Sequence, residues 1–312
     1  MPSAVVAEAN LFDNLLYSSL YVLFTPDGTK ILHGSDAGLI RVLDLSLQEL
    51  IKIPTDHASQ VGDWAILLDG QIIVSGSSKE SYNFWDTSSR TPVRFSTASR
   101  GSEGFDFTHL ASPPDDLTAQ RWGRVIRDTD RWQGDPRERN KMHNRVAYTS
   151  EGSILVDEKS SNTRVANLHV RPRFEEDLML SPTGKSVSFR LDSSHDSCLW
   201  NIDTQTVYRL DKSIALSRSW ARYWTSDGHY IAIDRGGNFT VWDTRTGALV
   251  SILNFGSTFL CKLRFSPDGR YLVAANYGGE VKLWDMEVAL LRGTHRSNRP
   301  LSIHNGVVDF SQ

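Results

Sequence analysis

The sequence predicts an all-β fold built from repeated four-stranded antiparallel sheets. Three observations carry this. A Ser/Thr-x-Asp-Gly turn recurs along the chain, a Trp-Asp pair or close variant follows each copy by sixteen to eighteen residues, and the pairs fall in phase. Asp44 to Asp86, Asn201 to Asp243 and Asp243 to Asp285 are each 42 residues apart.

The turns are "TPDG" from Thr25, "LLDG" from Leu67, "TSEG" from Thr149, "SPTG" from Ser181, "TSDG" from Thr225 and "SPDG" from Ser266. Their closing marks are Leu43-Asp44, Trp85-Asp86, Ala166-Asn167, Trp200-Asn201, Trp242-Asp243 and Trp284-Asp285. Pro presets φ early in a tight turn and Gly supplies the positive φ that closes it. The runs between, such as "YIAI", "FTVW", "YLVA" and "VKLW", alternate with period two and are rich in β-branched and aromatic residues, as half-buried strands are. "WDTRTG" from Trp242 adds a turn after the third strand. A four-stranded unit of 42 residues buries neither face alone, so the units must stack. Asp69 and Glu151 are 82 residues apart, close to two periods. "HLASPPDD", His109 to Asp116, falls between them with Trp132 seventeen residues past Asp115, which gives a degenerate unit and seven in all.

Composition narrows the function classes. With 39% hydrophobic and 23% charged residues in 312, the chain is globular, and a net charge of -3 makes no case for a polyanionic partner. Two cysteines, Cys198 and Cys261, form no disulfide framework. The start, "MPSAVVAEANLFDNLL", lacks the basic-then-apolar order of a signal peptide, and no run reaches the length of a membrane helix. The expectation is an intracellular protein, cytoplasmic or nuclear.

This pattern resembles the WD-repeat family of β-propellers, and the resemblance covers roughly Leu15 to Arg292. It implies a single propeller domain over 1–312. Its blades are 15–55, 56–97, 98–140 (degenerate), 141–172, 173–213, 214–255 and 256–293, with 294–312 as a tail or a truncated further strand. Each blade has four antiparallel strands, and the Trp packs between neighbouring blades. In the last unit A is Leu260 to Phe265, B holds Tyr271 to Ala274 and C holds Val281 to Trp284. The family often ties a blade with an Asp–His–Ser/Thr–Trp network. Here His57 alone matches the His place, in a repeat with Ser81 and Trp85 but Lys79 in the Asp place. Gly236 and Gly278 hold that place in the last two repeats, and Asp36 is one residue out of register. No blade keeps the whole network, so apolar packing carries more of the fold, each such bond being worth ~1 kcal/mol. Propellers commonly close by lending a terminal strand to the opposite end of the chain. Ser3 to Ala9 fits that role, while His304 to Gln312 reads either as a tail strand or as the start of another strand A.

The resemblance implies a non-catalytic scaffold for a protein partner, held on the top face where B–C and D–A loops meet. Asp36, Lys79, Arg235 and Tyr277 fall in B–C turns; Arg218, Trp220 and Phe259 fall in or beside D–A loops. Tyr277 and Trp220 are the apolar anchors, with Arg235 and Arg218 pairing acidic groups of the partner. Trp220 and Phe259 have a second reading, as the beginnings of strand A. Trp242-Asp243-Thr244-Arg245 resembles the box by which some family members dock onto the adaptor of cullin-based ubiquitin ligases, although Gly237 stands where an acidic residue is expected. The segment Arg121 to Arg145 holds eight Lys/Arg against four Asp/Glu with Trp122 and Trp132 interleaved. It reads as a charged loop, and as an anionic-lipid or nucleic-acid surface only as a weaker alternative. No nucleophile elbow, phosphate loop or metal-ligand spacing is present, so no catalytic residue, metal or cofactor is expected. "RDTDRWQGD" lacks the central Gly and closing Glu of a calcium loop.

Overall fold

The computed structural model describes residues 4–11, 20–25, 27–35, 39–54, 61–67, 72–77, 82–86, 92–93, 144–149, 153–158, 164–170, 178–191, 196–211, 222–256, 261–276, 278–291, 299–301, 303–304 and 307–308. After a lone first strand, β1 (Val5–Asn10), the chain draws six sheets. The first holds β2 (Leu20–Phe24), β3 (Lys30–Ser35), β4 (Leu39–Asp44) and β5 (Glu49–Pro54). The second holds β6 (Val61–Leu67), β7 (Ile72–Ser77), β8 (Tyr82–Asp86) and β9 (Pro92–Val93). The third, among the described residues, holds β10 (Asn144–Thr149), β11 (Ser153–Glu158) and β12 (Arg164–His169). The fourth holds β13 (Met179–Leu180), β14 (Ser186–Arg190), β15 (Ser197–Asn201) and β16 (Thr206–Asp211). The fifth holds β17 (Arg222–Trp224), β18 (Tyr230–Asp234), β19 (Asn238–Asp243) and β20 (Leu249–Asn254). The sixth is built from β21 (Cys261–Phe265), β22 (Tyr271–Asn276) and β23 (Glu280–Asp285). Neighbouring strands within each sheet run antiparallel in chain order.

The recurring turn between the first two strands is one hydrogen-bonded device, seen four times among the described residues. A buried hydroxyl, on Thr25, Ser181, Thr225 or Ser266, accepts the N–H of the residue five further on at 2.8 to 3.0 Å. In three turns the same hydroxyl donates at 2.5 Å to the Asp two residues on, Asp27, Asp227 or Asp268. That Asp then accepts the N–H of Thr29, His229 or Arg270. The Gly that follows has φ between 69 and 73° in all four, the left-handed region that other residues enter at a cost.

Side chains at every second position turn the sheets into a stack. The cluster of Val22, Ile31 and Leu43 with Val273, Ala275 and Leu283 joins the first sheet to the sixth. Phe239, Val241 and Phe255 meet Leu263, Leu272 and Trp284 between the fifth and sixth. Leu199 and Leu210 meet Ile231, Ile233 and Trp242 between the fourth and fifth. Ile154 and Leu168 meet Phe189 and Trp200 between the third and fourth, and Ile40 and Ile53 meet Ile73 and Trp85 between the first and second. The order of stacking is therefore third, fourth, fifth, sixth, first, second. Among the described residues, the third-strand Trp85, Trp200, Trp242 and Trp284 each face the sheet before their own in that order, as the resemblance implies. First strands lie together, β21 beside both β17 and β2, and β10 beside β13. They form the inside of the stack.

The ends are solved in two ways. β1 pairs antiparallel with β23 from Asn10↔Glu280 to Val5↔Trp284, so the N-terminal strand supplies the sixth sheet's outer strand. The chain after β23 turns instead into helix α1 (Met286–Leu291), with Met286 and Ala289 buried. The tail then gives β24 (Pro300–Leu301), β25 (Ile303–His304) and β26 (Val307–Val308). β24 adds outside β16, and β26 pairs with β12. Of His304 to Gln312, the described residues are His304, Val307 and Val308; Val307 pairs with His169 of β12 and with His304. Nine residues separate β12 from β13, against 17 between β19 and β21; of these nine, 171–177 lie outside the described residues. The degenerate unit at 98–140 lies outside the described residues.

Candidate interaction face

The turns joining second to third strands form one end of the stack, and two of them are drawn in detail. In the fifth sheet Asp234 is buried at the end of β18. Its Oδ1 accepts the N–H of Gly236 at 2.8 Å and of Gly237 at 3.4 Å, while Arg235 N–H donates to Asn238 O at 2.8 Å. Gly236 and Gly237 have φ of 75 and 102°, which lets the turn close in five residues. The sixth sheet repeats the plan with an amide. Asn276, also buried, accepts the N–H of Glu280 at 3.0 Å through Oδ1 and donates from Nδ2 to Glu280 at 2.5 Å. Both turns are pinned by a side chain reaching back from the strand that enters them.

Arg235 thus follows an anchored Asp, and it is half-buried. Of the other residues expected on this face, Asp36, Lys79, Arg218, Trp220, Phe259 and Tyr277 lie outside the described residues, as do His57, Ser81 and residues 121–143 of the basic segment. Its described residues, Asn144 and Arg145, begin β10, where the Arg145 backbone lies opposite Asp157 of β11.

The inner strands add a cationic group that the sequence reading passed over. Arg264 is buried with its Cζ 5.1 Å over the ring of Tyr223, the equivalent residue of the neighbouring first strand, and it donates to Leu263 O at 2.7 Å. Burial pushes the Tyr223 hydroxyl above its ordinary range, with Arg264 acting against it. Burial and Arg264 together lower Lys262. The available signal was "CKLRF", two cations alternating with apolar residues in an innermost strand.

Trp242, Asp243 and Arg245 sit at the opposite end. β19 runs six residues from Asn238 to Asp243, about 20 Å, between the Arg235 turn and the Arg245 turn. Trp242 is buried against the fourth sheet. Asp243 accepts the N–H groups of Arg245 and Thr246 at 2.8 and 3.1 Å, and the Arg245 guanidinium at 3.1 Å. Burial alone would raise Asp243, but these bonds outweigh it and hold the carboxyl below its ordinary value. The Arg245 side chain itself is 61% exposed.

The indole nitrogens of Trp85, Trp200 and Trp242 are buried and find no hydrogen-bond acceptor among the described residues. The register explains this for the later sheets. Trp200 lies opposite Val187 and Trp242 opposite Ile231, and two residues further on stand Phe189 and Ile233, both fully buried and without a hydroxyl. Packing has replaced the polar network there. Among the described residues no group of three His, Cys, Asp or Glu could hold a metal ion. No helix among them is long and apolar enough to cross a membrane.

The family model for the WD domain, G-beta repeat (WD40) matches residues 249–285. The match begins at β20 of the fifth sheet and ends with Trp284-Asp285 of β23, so the sequence repeat runs one strand out of step with the sheet. Among solved structures, the chain is similar to the β-propeller domain of Cps50 (Swd1) from Myceliophteria thermophila. The identity is 13%, the coverage 89% of this chain and 99% of that one, and the TM-score 0.44. The family model thus matches one WD40 repeat of this chain, and that repeat's turn, third-strand Trp and strand order are drawn again in the sheets around it.

Proposed function

We propose that the chain is a seven-bladed propeller, one domain over 1–312, whose top face holds a peptide or domain of a protein partner without catalysis, inside the cell. The observation that carries the interaction reading is the pair of B–C turns in adjacent sheets, each pinned by a buried side chain, Asp234 or Asn276. Arg235 and Tyr277 are the next residues in each. A side chain on a pinned turn loses little freedom on binding, which favours it as a contact. Trp220 and Arg218 precede strand A of the fifth sheet and Phe259 that of the sixth, so five of the seven candidates belong to one sector; Asp36 and Lys79 extend it to the first and second sheets.

The seventh blade is supported by the stacking order. The second and third sheets end the stack, no core cluster joins them among the described residues, and 94–143 lies between them in sequence.

The test is affinity capture with the unaltered chain beside a Trp220→Ala, Arg235→Ala, Tyr277→Ala variant of matched circular dichroism. A protein recovered only by the unaltered chain supports the top face; equal recovery by both contradicts it.

A second reading is favoured by one observation, the exposure of Arg245 next to buried Trp242 and Asp243. It has this chain as a substrate receptor docking onto a ubiquitin-ligase adaptor. Adaptor binding lost on Arg245→Ala, with folding intact, is its expected result, and no adaptor binding by the unaltered chain overturns it.

A further inference from the structure

We propose that Arg264 and Lys262 of β21 form a binding site for a phosphate group on the inside of the stack. This goes beyond the top-face reading, because it uses the innermost strands and needs no protein partner.

Arg264 stands two residues before the turn hydroxyl of its sheet. In the fifth, first and fourth sheets the same place is held by Tyr223, Leu23 and Met179, none of them charged. The fold therefore does not require a cation there. Yet Arg264 is only 8% exposed, and a guanidinium keeps its charge wherever it is placed. Its Nη1 donates to Leu263 O at 2.7 Å, and its Cζ lies 5.1 Å over the Tyr223 ring. Neither contact supplies a negative charge, since burial raises the Tyr223 hydroxyl and keeps it neutral. The Nε–H is buried and meets no acceptor among the described residues, and no described carboxylate forms an ion pair with Arg264. The stretches that lead into β17 and β21, 212–221 and 257–260, contain no Asp or Glu in sequence. Asp234, whose charge acts on Tyr223, has its Oδ1 engaged by the N–H groups of Gly236 and Gly237. A buried charge without a counter-ion is costly, and an anion taken from solution offsets that cost.

Lys262 sets the class of anion. It precedes Arg264 by two residues, so the two share one face of β21, opposite Ala275 and Val273 of β22. Lys262 is half-buried, and both its burial and the charge of Arg264 lower its pKa. Each cation thus disfavours the other, and an anion held by both relieves them together. The Nε edge of a guanidinium matches two oxygens of a tetrahedral oxyanion, and an ammonium takes a third as a point charge. Two cations suit a doubly charged group, phosphate or a phosphate monoester, better than a single carboxylate. The depth of Arg264 restricts access to a group of about that size.

The test is thermal unfolding of the full chain in rising potassium phosphate, against potassium chloride at equal ionic strength. Phosphate is expected to raise the midpoint along a saturating curve, as a ligand of the folded state does. Lys262→Gln and Arg264→Lys should each weaken the apparent affinity at least tenfold, while Arg245→Gln, an exposed Arg at the end of β19, should leave it within twofold. Should Arg264→Lys not fold, Lys262→Gln decides. A parallel titration with phosphoserine separates the two sources of the group: affinity equal to that of inorganic phosphate supports a site open to esters, and affinity for inorganic phosphate alone supports one for the free ion. A midpoint that follows ionic strength whichever anion is present, or an equal response from the unaltered chain and Lys262→Gln, overturns the proposal.

Discussion

Gly247 lies flat against the ring of Tyr208: a Cβ at 247 would come within 2.2 Å of Tyr208 Cγ, and the Tyr208 hydroxyl donates to Arg245 O at 3.3 Å. The turn after β19 is thus fitted onto the outer strand of the sheet before it, with no room for a methyl group. Gly247 also has φ of 63°, so Gly247→Ala meets both a clash and backbone strain. We expect a loss of about 3 kcal/mol or more by chemical denaturation. Gly256→Ala, at φ 89° but with open space around the new Cβ, should cost only about 1–2 kcal/mol. Equal losses at the two sites would remove the packing argument.

The turn hydroxyls make stability depend on acid. Burial opposes ionisation of Asp27 and Asp268, yet the hydrogen bonds from Thr25 and Ser266 and from nearby backbone outweigh it and lower both carboxyls from 3.8. A lowered folded value adds stability that is present above the unfolded value and lost as pH falls through the folded one. Denaturation midpoints should therefore be flat from pH 7 to 5 and fall below about pH 4. Ser266→Ala should cost about 1–3 kcal/mol at pH 7 by leaving the Tyr271 N–H unpaired, and it should weaken the acid dependence. An unchanged pH profile would show that Asp268 is not held by this bond.

The N-terminal strand alternates between half-buried and exposed residues along the sixth sheet's edge. Ala7 packs against the cluster joining the first and sixth sheets, while Val6 is 47% exposed. Ala7→Asp should destabilise by about 2–4 kcal/mol, and Val6→Asp by less than about 0.5. Similar effects from both would mean that β1 does not hold this register.

Cys198 is fully buried between the third and fourth sheets, and burial pushes its thiol far above its ordinary value. In a Cys261→Ser variant a thiol reagent should find nothing to modify until denaturant is added. Prompt labelling of the folded variant would contradict the stacking of those two sheets.

Much of this was legible in the sequence because a turn device is local. "TSDG" and "SPDG" name the hydroxyl, the carboxylate and the positive-φ glycine within four residues, and they predict both the turn and its repetition. The third-strand Trp was equally readable, and so was the loss of its polar partners for Trp200 and Trp242, since Phe189 and Ile233 are simply not Ser or Thr. The tail was not readable. β24 pairs with a strand more than ninety residues before it, and β26 with one still further back, and a two-residue strand has no periodicity to detect. Arg235 was placed in its turn by register alone, whereas the Asp234 anchor beneath it emerged only from side-chain geometry.

Affinity of the captured partner for single variants at the two ends of β19 tests the interaction reading most directly. Arg235→Ala should weaken binding at least tenfold, about 1.4 kcal/mol, as loss of an interface Arg commonly does. Arg245→Ala, about 20 Å away at the far end of the same strand, should leave it within twofold. The reverse pattern, with Arg245 required and Arg235 dispensable, would contradict a top-face site and put the partner on the opposite end of the stack.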